Sequence, residues 1–183
     1  KEAMKNNFLR GLLLSDSIYI ASNLTFNNLS PLSSYLGKPG KKELGGIELE
    51  TYIERQRQHR EAEISATLDT KKFIKKSIGI YNYGNFVCDT SGSICELVDP
   101  ENPTDPILNH LSENTLIILI KGTDKHREDL IKRFVLDPKP IYYREKFLRE
   151  KWEKYISQHD LKPNQVNPDD FIVFCFKDLI GHR

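Results

Sequence analysis

Residue types suited to chemistry gather in three places. The first is the run Asn85-Phe86-Val87-Cys88-Asp89-Thr90-Ser91-Gly92-Ser93, an apolar stretch that ends in an acid and then in a turn of small polar residues. Phe86 to Asp89 reads as a short buried strand. In open α/β sheets ligands sit beyond the carboxyl ends of the strands, so Asp89 would there meet a metal, a phosphate-bound water or a substrate hydroxyl. Ser91 and Ser93 would hydrogen-bond a substrate beside it. The alternative is an acid that only caps the turn, with Thr90, Ser91 and Ser93 as hydrogen-bonding turn residues. The spacing favours neither.

The second place is Glu54-Arg55-Gln56-Arg57-Gln58-His59-Arg60-Glu61. Residues four apart share a helix face, which pairs Arg57 with Glu61 and sets Arg55 beside His59. Arginines grip phosphate through a planar fork of donors, so Arg57 and Arg60, with His59, are candidates to hold an anionic substrate. A solvated charged face is the commoner outcome of such a run. The third set, Arg127, Arg133, Lys139 and Arg144, follows the most apolar stretch of the chain and could fold over a polyphosphate, neutralising charge as phosphoryl transfer proceeds. Solvation is again the simpler reading of each residue. The patterns GxxxxGK[ST], GxGxxG, HExxH and GxSxG are all absent from the sequence.

These residues need elements to position them. Apolar spacing predicts a helix over Lys1 to Leu14, and alternation predicts a strand over Ser17 to Ala21. Ser22 to Gly46, rich in Asn, Ser, Pro and Gly, reads as a long lid or substrate loop. Helices follow over Ile47 to Thr67 and over Asp69 to Ile78, the latter capped by Asp69 and carrying Lys71, Lys72, Lys75 and Lys76. A loop with three prolines leads to a helix over Pro106 to Leu111. Thr115 to Ile120, apolar on both faces, reads as a central parallel strand. Further helices are expected over Asp124 to Phe134 and Arg144 to His159. Asn167-Pro168-Asp169-Asp170 is a helix-start signature, so Pro168 to Ile180 is read as helical despite the β-favouring residues Phe171 to Phe176. Strands alternating with helices give an α/β class: three layers, with a short and mostly parallel sheet flanked by helices and a long N-terminal loop.

Composition sets the outer bounds. The chain has 183 residues, 29% of them charged and 38% hydrophobic, which excludes collagen-like and disordered classes. A chain of this length buries roughly 70% of its unfolded surface and suffices for a single α/β domain without disulfides or a structural metal. With 27 basic against 26 acidic residues there is no global positive field, so nucleic-acid binding would need local clustering. Three cysteines, of which Cys88 and Cys95 are not at zinc-knuckle spacing, fit a reducing cytoplasm. The apolar runs are far too short to span a bilayer, so no membrane partner is expected.

The turn Asp89-Thr90-Ser91-Gly92-Ser93, the strand-like Thr115 to Ile120 and the arginine-bearing helix after it resemble the later half of shikimate-kinase-like P-loop kinases and ATPases. The likeness covers about residues 85 to 144, and more weakly residues 22 to 63 as a substrate-binding region. It implies a nucleotide-dependent phosphotransferase or ATPase acting on a small anionic substrate with ATP and Mg²⁺. Asp89 would then be the metal-holding and catalytic acid, and Arg133 a catalytic lid cation. Arg127, Lys139 and Arg144 would hold the nucleotide, and Arg57, His59, Arg60, Ser91 and Ser93 the substrate. The missing Walker A loop implies that the chain is a piece of a larger protein. A reading from another class is a noncatalytic module whose basic helices, Arg55 to Arg60 and Lys71 to Lys76, engage nucleic acid or an acidic protein.

Overall fold

The computed structural model describes residues 35–90, 92, 94–99 and 101–182. Among them the chain forms seven α-helices: α1 (Leu49–Leu68), α2 (Thr70–Tyr81), α3 (Ile94–Leu97), α4 (Pro106–Asn114), α5 (Asp124–Leu136), α6 (Glu145–His159) and α7 (Pro168–His182). The expected helix over Lys1 to Leu14 and strand over Ser17 to Ala21 lie outside the described residues.

The α/β expectation is corrected. No β-strand occurs among the described residues, whose sole ladder-like pairing is an isolated parallel bridge between Pro39 and Ile47. Phe86 to Asp89 is irregular and exposed, and so is the stretch after Thr115. β-Branched and aliphatic runs make a segment competent to be a strand, but a strand exists only when a second one completes its ladder. Neither segment has such a neighbour among the described residues.

The helices start where local chemistry supplies caps. Asp105 Oδ1 accepts from the Ile107 and Leu108 N–H groups, both at 2.9 Å, just ahead of Pro106 in the first turn of α4. Thr123 and His126 form a reciprocal capping box at the start of α5. Asn167 Oδ1 accepts from the Asp169 N–H at 3.0 Å, which begins α7 against the β preference of its aromatic residues. Asp69 behaves differently from its expected role. Its own backbone is helical, it caps nothing, and its carboxylate instead pairs with Lys72 Nζ at 2.7 Å.

The chain divides into two compact units, and α1 passes from one to the other between Arg57 and Gln58. In the first unit, Gln58–Leu119, α2 packs on α4. Its buried apolar residues are Ala62, Leu97, Val98, Ile107 and Leu111. In the second, which takes residues 35–57 and 120–182, α7 packs against both α5 and α6. There Tyr52, Ile53, Tyr143, Leu148, Trp152, Val166, Phe171, Ile172 and Cys175 form one continuous core. Trp152 meets Phe171 edge to face at 4.9 Å, and Phe134 of α5 stacks on Phe176 of α7.

Tyr35 to Gly46, the described part of the expected lid, is held by its backbone. Gly40 N–H donates to the Ile47 carbonyl at 2.9 Å, Ile47 N–H to the Lys38 carbonyl at 2.9 Å, and Lys41 N–H to the Val166 carbonyl at 2.8 Å. Gly40 has φ +146, and a Cβ there would stand 2.5 Å from the Val166 oxygen. Arg55 adds an anchor, donating to the Tyr35 carbonyl at 2.7 Å with its guanidinium over the Tyr35 ring.

Candidate functional site

The residues singled out for phosphate chemistry fall into separate surroundings. Asp89 belongs to the first unit and is exposed on an irregular segment, so it does not stand at the carboxyl end of a strand. Among the described residues no group of three His, Cys, Asp or Glu side chains is placed to hold a metal ion. Asp89 is therefore not part of such a group among the described residues. Ser91 and Ser93 lie outside the described residues.

Arg57 is occupied. Its Nε and Nη2 reach Glu145 Oε2 and Oε1, each at 2.8 Å, in a bidentate pair between α1 and α6. Arg149 continues the chain of charges, donating to Glu145 at 3.0 Å and bidentately to Glu50 at 2.7 and 2.9 Å. Hydrogen bonds from Arg57 and then Arg149 hold the Glu145 carboxyl below its ordinary value. This network spends on internal pairing the guanidinium fork that a phosphate would need.

His59 and Arg60 sit in the first unit. His59 is buried, and burial lowers its imidazole to about 4, so it is neutral near pH 7. Its Nε2 lies 3.5 Å from Glu63 Oε2. Arg60 is exposed, in the electrostatic field of the Asp105 carboxylate.

The remaining cations belong to the second unit. Arg127 pairs with Asp124 at 3.2 Å one turn back on α5, and Lys139 with Asp137 at 3.1 Å. Arg133 is exposed on α5, and Arg144 is exposed where its backbone precedes the first turn of α6.

A different cluster is assembled on α2. Its twelve residues carry Lys71, Lys72, Lys75 and Lys76 and no acid. At about 100° per residue the four lysines cover an arc of roughly 140°, directly opposite the side on which Thr70 and Ser77 are buried. All four are exposed, and Lys71, Lys75 and Lys76 form no salt bridge among the described residues. The helix ends at Asn82, in the left-handed conformation with φ 52, whose N–H donates to the Ile78 carbonyl. That reversal lays Tyr83 on Tyr81, with ring centroids 5.6 Å apart and planes 15° from parallel. Both rings remain more than half exposed. The lysine spacing was legible in the sequence. The tyrosine pair was not singled out, because its stacking depends on the left-handed turn at Asn82.

No helix among the described residues is long and apolar enough to cross a membrane. Comparison of the chain with protein-family models, with curated proteins and with solved structures finds no match.

Proposed function

We propose that the chain is a noncatalytic binding module that engages single-stranded nucleic acid through α2 and the tyrosines that follow it. The observation that carries this reading is that α2 combines an acid-free lysine face with an exposed, stacked Tyr81–Tyr83 pair at its C-terminal end. Cations for the phosphates together with an aromatic platform for bases are the combination that binds unpaired strands with little sequence preference. The near-neutral net charge of the chain makes the interaction local to this face. A cytoplasmic site belongs to the same proposal, supported by the absence of pairing among Cys88, Cys95 and Cys175. The phosphotransferase reading has no comparable support, since Arg57 is paired internally and His59 has no charge to offer an anion near pH 7.

Fluorescence anisotropy with a labelled single-stranded oligonucleotide tests the proposal. Four phosphate contacts predict a log–log salt slope of about −3, reduced by about 0.7 in Lys75→Ala and again in Lys76→Ala. Tyr83→Ala is expected to weaken binding about 5- to 100-fold while leaving the slope unchanged. Absence of binding at low salt would sink the reading. Binding of ATP that depends on Arg127 or Arg133 would favour the phosphotransferase instead, and binding confined to an acidic peptide would favour a protein partner.

A further inference from the structure

The acid that adjoins the lysine face of α2 does not cap the helix. Asp69 sits where a capping acid would accept the first N–H groups, but its own backbone is helical, with φ −81 and ψ −2, and no such bond forms. Continued backwards at about 100° per residue, the helix places Asp69 at the edge of the lysine arc, one turn ahead of Lys72. Lys72 is central in that arc, between Lys75 and Lys76. The Asp69 carboxylate and Lys72 Nζ meet at 2.7 Å, and the pair is unequal: the lysine side chain is 70% exposed, the aspartate side chain 12%.

We propose that Asp69 makes an autoinhibitory contact, competing with nucleic-acid phosphate for Lys72; this rests on the reading of α2 as a site for single strands. Lys71, Lys75 and Lys76 form no salt bridge among the described residues, so of the four cations Lys72 alone gives up a carboxylate before it takes a phosphate. A pair between two exposed side chains would exchange at almost no cost. This pair costs more to open, because Lys72 swings into solvent while the largely covered Asp69 carboxylate recovers little hydration. The remaining negative charge also stands one turn from the incoming phosphate and repels it. Asp69 therefore lowers affinity without lowering the number of phosphates held. A strand already anchored by Lys75 and Lys76 presents its next phosphate to Lys72 at high local concentration, and the exchange completes once the strand is bound.

Anisotropy with a labelled oligothymidylate of about 16 nucleotides tests this in the full chain, with circular dichroism to verify helical content in each variant. Asp69→Asn keeps the shape of the side chain and removes its charge, and is expected to bind about three- to tenfold tighter with the salt slope unchanged. In the wild type, Lys72→Ala should cost less affinity than Lys76→Ala, and in the Asp69→Asn background the two should cost the same within about twofold. Lys76→Ala should cost the same in either background, which separates competition at Lys72 from a general change of charge. Should Asp69→Asn fail to fold, carbodiimide coupling of the wild type reads the contact itself: an amide between Asp69 and Lys72 is expected in the free protein and is suppressed by saturating oligonucleotide. Wild-type binding that Asp69→Asn does not tighten would overturn the proposal and leave the nucleic-acid reading standing. So would equal coupling of Asp69 to Lys72 and to Lys76, or an Asp69–Lys72 amide that forms undiminished in the complex. Absence of binding by both wild type and Asp69→Asn at low salt would overturn the nucleic-acid reading and this proposal with it.

Discussion

Gln56 and Tyr143 stand 87 residues apart in the chain, and the Gln56 Oε1 accepts the buried backbone N–H of Tyr143 at 3.1 Å. The other end of the same amide, Nε2, donates to the Ile141 carbonyl at 3.2 Å. A single side chain thus serves a strand edge's role for the segment ahead of α6, meeting a backbone donor and, together with the Tyr52 hydroxyl at 3.4 Å, a backbone acceptor.

Gln56→Leu keeps the volume and removes both bonds. Taking this acceptor from the buried Tyr143 N–H, while the Tyr52 hydroxyl still donates to the Ile141 carbonyl at 3.4 Å, is expected to cost about 1–3 kcal/mol, read from urea unfolding of the second unit's tryptophan signal at Trp152. A loss below about 0.5 kcal/mol would mean that water replaces the amide.

His59 makes the first unit acid-sensitive. Its folded imidazole titrates at about 4, below the ordinary value of 6.5, so the unfolded state takes up its proton first as pH falls. The stability is complete above pH 6.5 and is lost progressively toward pH 4, by about 3 kcal/mol over that interval. His59→Gln should unfold with a shallower acid limb than wild type. Identical limbs would show that the imidazole is protonated in the folded state.

Gly40 and Gly45 share a positive φ but differ in what surrounds them. A Cβ at Gly40 meets the Val166 carbonyl oxygen at 2.5 Å, whereas one at Gly45 meets nothing within 4 Å. Gly40→Ala should therefore cost about 2–4 kcal/mol and expose the Lys41 and Ile47 amides to hydrogen exchange. Gly45→Ala should cost only the backbone preference, about 1–2 kcal/mol. Slow exchange at Gly40, Lys41, Gly46 and Ile47 in the wild type is the matching expectation. Fast exchange there would restore the mobile-lid reading of this stretch.

Helices were legible because their signals are local. Pro106, Asn167-Pro168 and the acids of α7 announce starts that the structure keeps, and the reading over Asp124 to Phe134 extends only to Leu136. The two strands were misread for a reason just as physical. Thr115 to Ile120 states a propensity, but pairing is a property of two segments, and nothing in one of them reveals that the other is missing. The surroundings of the candidate residues are illegible for the same reason. Arg57 was identified as a phosphate fork without its carboxylate partner, Glu145, which lies 88 residues away in sequence. His59 reads as an exposed partner for an anion because helical spacing alone does not say which side of α1 is covered.

The core of the second unit also contains its own clock. Cys175 is wholly buried between Ile172 and Leu179, and burial raises its thiol far above the ordinary range, so it is neither exposed nor ionised while the core is closed. Cys88 and Cys95 are open to solvent. An alkylating reagent therefore reaches those two thiols before the third, and the delay before Cys175 reacts measures how often that helical core opens.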